Sequence, residues 1–214
     1  METKTTELVF ILDKSGSMAG LEADTIGGFN ALLDKQKKEP GNAVVTTVLF
    51  NHQYELLHDW LPIQEVSALT DRNYEVGGAT ALLDAIGSTI QKVGHRQKRA
   101  SEETRAGKVL VVITTDGMEN ASCEYSQQKI QSMISHQKNR FDWEFIFLGA
   151  NIDAAQTARR FGIGEDFAVD YHADATGTEL NFNVLNETVR SFRKGEALDR
   201  SWKVKIEADF EKRK

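Results

Sequence analysis

The chain has 214 residues, short of the length at which one core splits into several, so a single domain with a full core is expected. Apolar residues make up 40% and charged residues 27%, with only 2 prolines, which excludes a disordered, collagenous or fibrous chain. Against 26 Lys and Arg stand 32 Asp and Glu, a net charge of -6, the wrong sign for a protein that holds nucleic acid by neutralising phosphates.

Leu8 to Leu12 is a continuous apolar run that stops at Asp13, the pattern of a strand buried on both faces of a parallel sheet. From about Leu21 to Lys38, Ile26, Phe29, Leu32 and Leu33 recur at helical spacing until Pro40-Gly41 ends the pattern. Residues 43 to 50 and 53 to 60 read as two strands around Asn51-His52, a pair that suits a tight hairpin and adds one antiparallel strand. After a polar stretch carrying Pro62, Gly77-Gly78 introduces a second helix from about Ala81 to Val93, followed by a charged loop from Gly94 to Gly107. Lys108 to Thr115 is a second fully apolar strand. A helix from about Ser126 to Asn139, a strand at Trp143 to Gly149 and a short helix at 152 to 161 come next. A short edge strand at Phe167 to Val169 and a last amphipathic helix at 178 to 193 complete the alternation.

This order predicts an α/β fold: a doubly wound, mostly parallel sheet with one antiparallel strand and helices on both faces. One domain over residues 1–194 is expected, with residues 195–214 as a C-terminal extension packed on it or extending it. There Trp202, Val204 and Ile206 have period two, favouring a terminal strand. Cys123 is the only cysteine, so no internal disulfide can form, and a reducing compartment is the simpler reading. The polar N-terminus and the short apolar run after it suit neither a signal peptide nor a membrane span, so a cytoplasmic location is expected.

In doubly wound sheets, ligands sit outside the carboxyl ends of the strands, where strand order reverses. The loop after the first strand reads Asp13-Lys14-Ser15-Gly16-Ser17-Met18, one carboxylate and two hydroxyls. Gly78-Ala79-Thr80 supplies a further hydroxyl before a helix, and Thr115-Asp116-Gly117 a second carboxylate at the end of the later apolar strand. All are hard oxygen donors. With these residues the chain resembles the von Willebrand factor A family, as a stand-alone member of the kind found in bacteria. The metal-ion-dependent adhesion site of that family (MIDAS) is built from Asp-x-Ser-x-Ser with a distal Thr and Asp.

The resemblance runs from about Glu7 to Arg193 and implies five metal ligands: Asp13, Ser15 and Ser17 from the first loop, Thr80 from the second and Asp116 from the third. Such a set suits Mg2+ or Mn2+, which take about six oxygens and combine few carboxylates with water. It implies a module with no catalytic residues and no further cofactor. The partner is a protein that offers an Asp or Glu to the metal, with no role for nucleic acid or membrane, and the chain acts as a monomeric adaptor in a multiprotein assembly.

Blander readings stand beside these. Serine, glycine and aspartate are also what strand-to-helix turns and helix caps prefer, so Asp-x-Ser-x-Ser alone is weak, and its strength comes from Thr80 and Asp116 in register. Asp84, in the first turn of its helix, is read as a helix-dipole partner. Glu119, Asn120, Asn151 and Asp153 are expected on the same rim as ordinary loop polarity. The basic residues from Lys92 to Arg105 could meet an acidic protein or phosphate, but interrupting glutamates favour a solvated loop. Two other functions compete: a magnesium-dependent phosphate hydrolase with Asp13 as nucleophile, and a structural module whose metal braces loops. Hydrolases of the haloacid dehalogenase type carry a second aspartate where Ser15 stands, and no nucleotide-binding glycine loop follows any strand.

Overall fold

The two apolar runs lie side by side at the centre of a sheet in the computed structural model, which describes residues 4–214. Strand β1 (Thr6–Asp13) pairs in parallel with β2 (Ala43–Phe50) on one side and β4 (Lys108–Thr115) on the other. Strand β3 (Tyr54–Pro62) runs antiparallel beside β2, and β5 (Glu144–Ala150) and β6 (Ala168–Tyr171) follow β4 in parallel. The order is β3-β2-β1-β4-β5-β6, the doubly wound, mostly parallel arrangement that the alternation predicts.

Strand side chains point alternately to opposite faces, so an uninterrupted apolar run serves two cores. Leu8, Phe10 and Leu12 of β1 pack on the face covered by α1 (Glu22–Gln36), α5 (Ala175–Lys194) and α6 (Val204–Lys212). There Phe10 meets Phe29 of α1 edge-on, with ring centroids 5.3 Å apart. Val9 and Ile11 pack on the other face, under α2 (Leu82–Arg99), α3 (Gln127–Phe141) and α4 (Ala154–Phe161). Just before the apolar run of β1 stands Glu7, a fully buried carboxylate held by Arg96 and Gln97 of α2 and Thr46 of β2. Burial pushes its pKa up, and the Arg96 charge and these donors pull it back.

Three segments differ from expectation. Helix α2 runs on to Arg99, through residues read as loop. Val93 and Gln97 continue its buried stripe while Lys98 and Arg99 face solvent, so the charges that suggested a loop are the wet face of an amphipathic helix. Pro62 ends β3 on the sheet edge, where its missing N–H costs nothing, and three residues rather than two connect β2 to β3. The terminal strand does not form: Trp202 lies in a 3-10 turn (Arg200–Lys203) and Ile206 on α6. Both are buried while Val204 is 54% exposed, because Trp202 and Ile206, four apart, share one helical side. The Trp202 indole N–H donates to the Asp166 carbonyl (2.9 Å), and Lys203 Nζ donates to the carbonyls of Glu165 (2.7 Å) and Ala168 (2.8 Å), which docks the extension against β6.

Candidate metal centre

Strand order reverses between β1, whose helix leads to β2, and β4, whose helix leads the other way to β5. Asp13 ends β1 and Asp116 follows β4, so both carboxylates stand at the mouth of that crevice. Backbone hydrogen bonds stitch the surrounding loops together. Lys14 N–H donates to the Phe50 carbonyl (2.7 Å), Gly16 N–H to Gly78 (2.9 Å) and Gly77 N–H to Lys14 (2.9 Å). Gly78 takes a left-handed φ of 80° beside the His52 side chain, a position that only glycine fills without strain. The Thr80 N–H donates to Asn120 Oδ1 (2.9 Å), and Asn120 N–H donates back to the Thr80 carbonyl (3.0 Å).

On this frame the five predicted residues share one crevice. Asp13 Oδ1 accepts from Ser15 N–H (2.7 Å), and Oδ2 accepts from the Thr115 hydroxyl (2.5 Å). The hydroxyls of Ser15 and Ser17 share a hydrogen bond of 3.0 Å. A Cβ added at Gly117 would lie 2.8 Å from Ser17 Oγ and 3.4 Å from Thr80 Oγ1, so both hydroxyls crowd the glycine that follows Asp116. Asp13, Ser15, Thr80 and Asp116 are buried, while Ser17 is exposed and opens the crevice to solvent.

Burial pushes both aspartate carboxyls above their ordinary value. Hydrogen bonds from Thr115 and Ser15 pull Asp13 back and the Asp116 charge pushes it further up, while the neighbouring Ser17 side chain pulls Asp116 back. Asp116 Oδ1 is buried with no hydrogen-bond partner, a costly state for a carboxylate oxygen. Two carboxylates and three hydroxyls supply only hard oxygen donors, the set that magnesium and manganese prefer. Among the described residues no group of three or more His, Cys, Asp or Glu gathers, so a cation at this crevice relies on the hydroxyls. The donor set and the orphaned oxygen both fit a hard dication.

Residues the sequence reading left aside hold this frame. The Tyr74 hydroxyl donates to the Asp13 carbonyl. Glu119 accepts from the N–H groups of Leu83 (2.9 Å), Ala121 (3.0 Å) and Ser122 (2.7 Å) and from the Ser122 hydroxyl (2.7 Å). Asp84 accepts from the N–H groups of Cys123, Glu124 and Tyr125 at 2.9–3.0 Å, so it anchors a loop as well as standing at the helix start. Asp153 caps α4 through Gln156 N–H (2.7 Å), and Asn151 takes a left-handed φ of 55°. The Asp153 cap has the i,i+3 spacing of an N-cap, but the partners of Tyr74 and Asp84 and the Leu83 bond of Glu119 lie 36 or more residues away, where no local spacing marks them.

No family model matches the sequence, and no curated protein matches it. Solved structures do match. Proximal thread matrix protein 1 from the mussel byssus superposes with a TM-score of 0.60 at 12% identity over 86% of this chain and 48% of its own. This chain thus spans about half of the mussel protein's length. A further structure of that protein has a zinc-occupied MIDAS motif. The von Willebrand factor domain of the type V pili tip protein Mfa5 from Porphyromonas gingivalis matches at 0.64 and 10% identity, over 88% of this chain and 96% of its own. A von Willebrand factor type A protein from Catenulispora acidiphila matches at 0.60 and 12% identity, over 88% and 43%. The chain has the von Willebrand factor A fold.

Proposed function

We propose that this chain is a protein-binding module that holds one magnesium or manganese ion through Asp13, Ser15, Ser17, Thr80 and Asp116 and engages a partner protein through an Asp or Glu side chain. The observation that carries the reading is the buried, unpartnered Asp116 Oδ1 near the hydroxyls of Ser15, Ser17 and Thr80, which come from two other loops. A bound dication supplies an electrophilic position for a carboxylate oxygen from outside.

The chain's own residues set the terms of binding. Asp13 and Asp116 together carry two negative charges and the serine and threonine hydroxyls none, so the set balances a dication without over-neutralising it. Both Asp13 oxygens already accept from Ser15 and Thr115, which fixes that carboxylate and leaves its remaining lone pairs for water or cation. On the rim, Met118 is 73% exposed, an apolar contact beside a charged one that helps choose the partner. Fold neighbours that work on pili and in the byssus, one of them with zinc in its MIDAS, support an adhesion-type role.

An adaptor without catalytic activity is part of this proposal. So is a cytoplasmic location, supported by the exposed, unpaired Cys123, which a reducing compartment tolerates. Among the described residues no helix is long and apolar enough to cross a membrane. The test is a calorimetric titration of EDTA-treated protein with magnesium and with manganese. The reading predicts one saturable site, lost in Asp13→Ala and Asp116→Ala variants that still fold. Binding that survives both substitutions would overturn it.

A further inference from the structure

Away from the crevice, α2 and α3 flank an open groove of about 730 Å³ that runs along both helices. Each wall is one helical face. Gln91, His95 and Lys98 stand on α2, and Lys129, Ser132 and His136 on α3, at the i, i+3, i+4 and i+7 spacings that align side chains along a helix. Between them Met133 stands half-buried over the buried Ile90 and Trp143, with Gln97 and Gln137 beside it. Phe141 borders it with 55% of its surface exposed, edge-on to His136 at 5.6 Å.

The charge of this groove runs against that of the chain. No Asp or Glu lines it, while Lys98, Arg105 and Lys129 do, in a protein of net charge -6. Among the described residues, none of those three cations takes part in an ion pair. Glu102 and Glu103 share a loop with Arg105 and stay outside the lining. From Lys129 to Phe141 the α3 wall is about 18 Å long at 1.5 Å per residue, room for a helix of roughly three turns.

We propose that this groove docks an acidic amphipathic helix of a partner protein. Its apolar stripe would cover Phe141 and Met133, and its Asp and Glu residues would face the flanking cations, as helix-in-groove recognition requires. Charge complementarity of this kind selects partners and speeds encounter. The apolar lining and the overall negative charge favour such a helix over nucleic acid, whose phosphates gain nothing from burying phenyl and thioether groups and are repelled by the rest of the surface. The proposal does not involve Asp13 or Asp116 and stands independently of the metal.

The test selects from a displayed library of 14-residue peptides with apolar residues fixed at i, i+3, i+4 and i+7 and all others free, against the full chain in EDTA. The expected winners carry Asp and Glu at the free positions. They shift amide resonances of α2 and α3, and they lose at least tenfold in affinity to a Lys98→Glu/Lys129→Glu variant whose circular dichroism melt is unchanged. Asp116→Ala leaves them bound. The proposal is overturned if no peptide is enriched, if winners are basic, or if the double variant binds them equally. It is equally overturned if scrambled acidic peptides, duplex DNA or phosphatidylserine vesicles bind the groove as tightly as the selected helix.

Discussion

The Thr115 hydroxyl donates a 2.5 Å hydrogen bond to Asp13 Oδ2, joining the ends of β4 and β1 across 102 residues of sequence. This contact spans the crevice at the point where the sheet changes direction, so it orients one carboxylate of the candidate site from the strand that carries the other. Thr115→Val keeps the shape and removes the donor. Hydrogen bonds to charged groups contribute about 1.5–3 kcal/mol. We expect a loss of that order in urea unfolding at neutral pH, together with roughly tenfold weaker magnesium binding. Unchanged affinity would show that Asp13 needs no such support.

Asp116→Asn separates the cost of the site from its use. Burial holds the Asp116 carboxyl above its ordinary value of 3.8 and leaves Oδ1 unpartnered, so its charge weighs against folding when no cation is present. The asparagine variant should therefore melt higher than the parent in EDTA at neutral pH. It should show no magnesium response. A variant that melts lower than the parent in EDTA would contradict this account.

The same shifts fix the pH dependence. Asp13 and Asp116 have folded pKa values raised above 3.8, so the folded chain binds these protons more tightly than the unfolded chain. Their unfavourable contribution is full above the folded pKa, fades as pH falls through it, and is gone below about 3.8. A dication requires both carboxylates ionised. The magnesium-induced rise in melting temperature should therefore be full at neutral pH and shrink as pH drops through the raised pKa values. A rise that stays constant from about pH 7 to pH 4 counts against carboxylate ligation.

Gly117→Ala tests the hydroxyls. The new Cβ would stand 2.8 Å from Ser17 Oγ, close enough to push that short side chain aside while leaving the backbone in place. We expect at least tenfold weaker metal binding with a melting temperature in EDTA within about 2 °C of the parent, a shift of under 1 kcal/mol. Calorimetry and a thermal melt on the same sample decide it.

Glu119→Ala removes an acceptor of four hydrogen bonds, three within the loop after Asp116 and one from Leu83 at the start of α2. At roughly 1.5–3 kcal/mol for bonds to a charged group, with some water replacing the carboxylate, a net loss of about 2 kcal/mol is expected. Hydrogen exchange should speed up at Leu83, Ala121 and Ser122, whose N–H groups donate to that carboxylate. Exchange unchanged at these positions would show that the loop holds without it.

Much of this arrangement could be read from the chain, and the reasons for the misses are physical. β4 was legible from Lys108 to Thr115 because a central parallel strand is apolar on both faces and nothing interrupts the run. The places of Asp13 and Asp116 were legible because one ends and the other follows a central strand, whereas Thr80, just before α2 and far from any strand end, was placed only by the family resemblance. Glu7 stayed illegible because its burial depends on Arg96 and Gln97, far away in sequence. The last two turns of α2 look like a loop in the sequence because Arg96, Lys98 and Arg99 outweigh Val93 and Gln97 in composition, although the latter set the buried face. At the C-terminus, Trp202, Val204 and Ile206 fit period two as well as Trp202 and Ile206 fit a helix. The carbonyls of Glu165, Asp166 and Ala168 decide between them by accepting from Trp202 and Lys203.

The central claim is that a dication binds among Asp13, Ser15, Ser17, Thr80 and Asp116. Manganese-soaked crystals, measured for anomalous scattering, test it most directly. The account predicts a single strong anomalous peak beside Asp116 Oδ1 and the hydroxyls of Ser15 and Ser17, absent from crystals of the Asp116→Ala variant. A crevice without a peak at saturating manganese, or a peak only at some other carboxylate cluster, would contradict it.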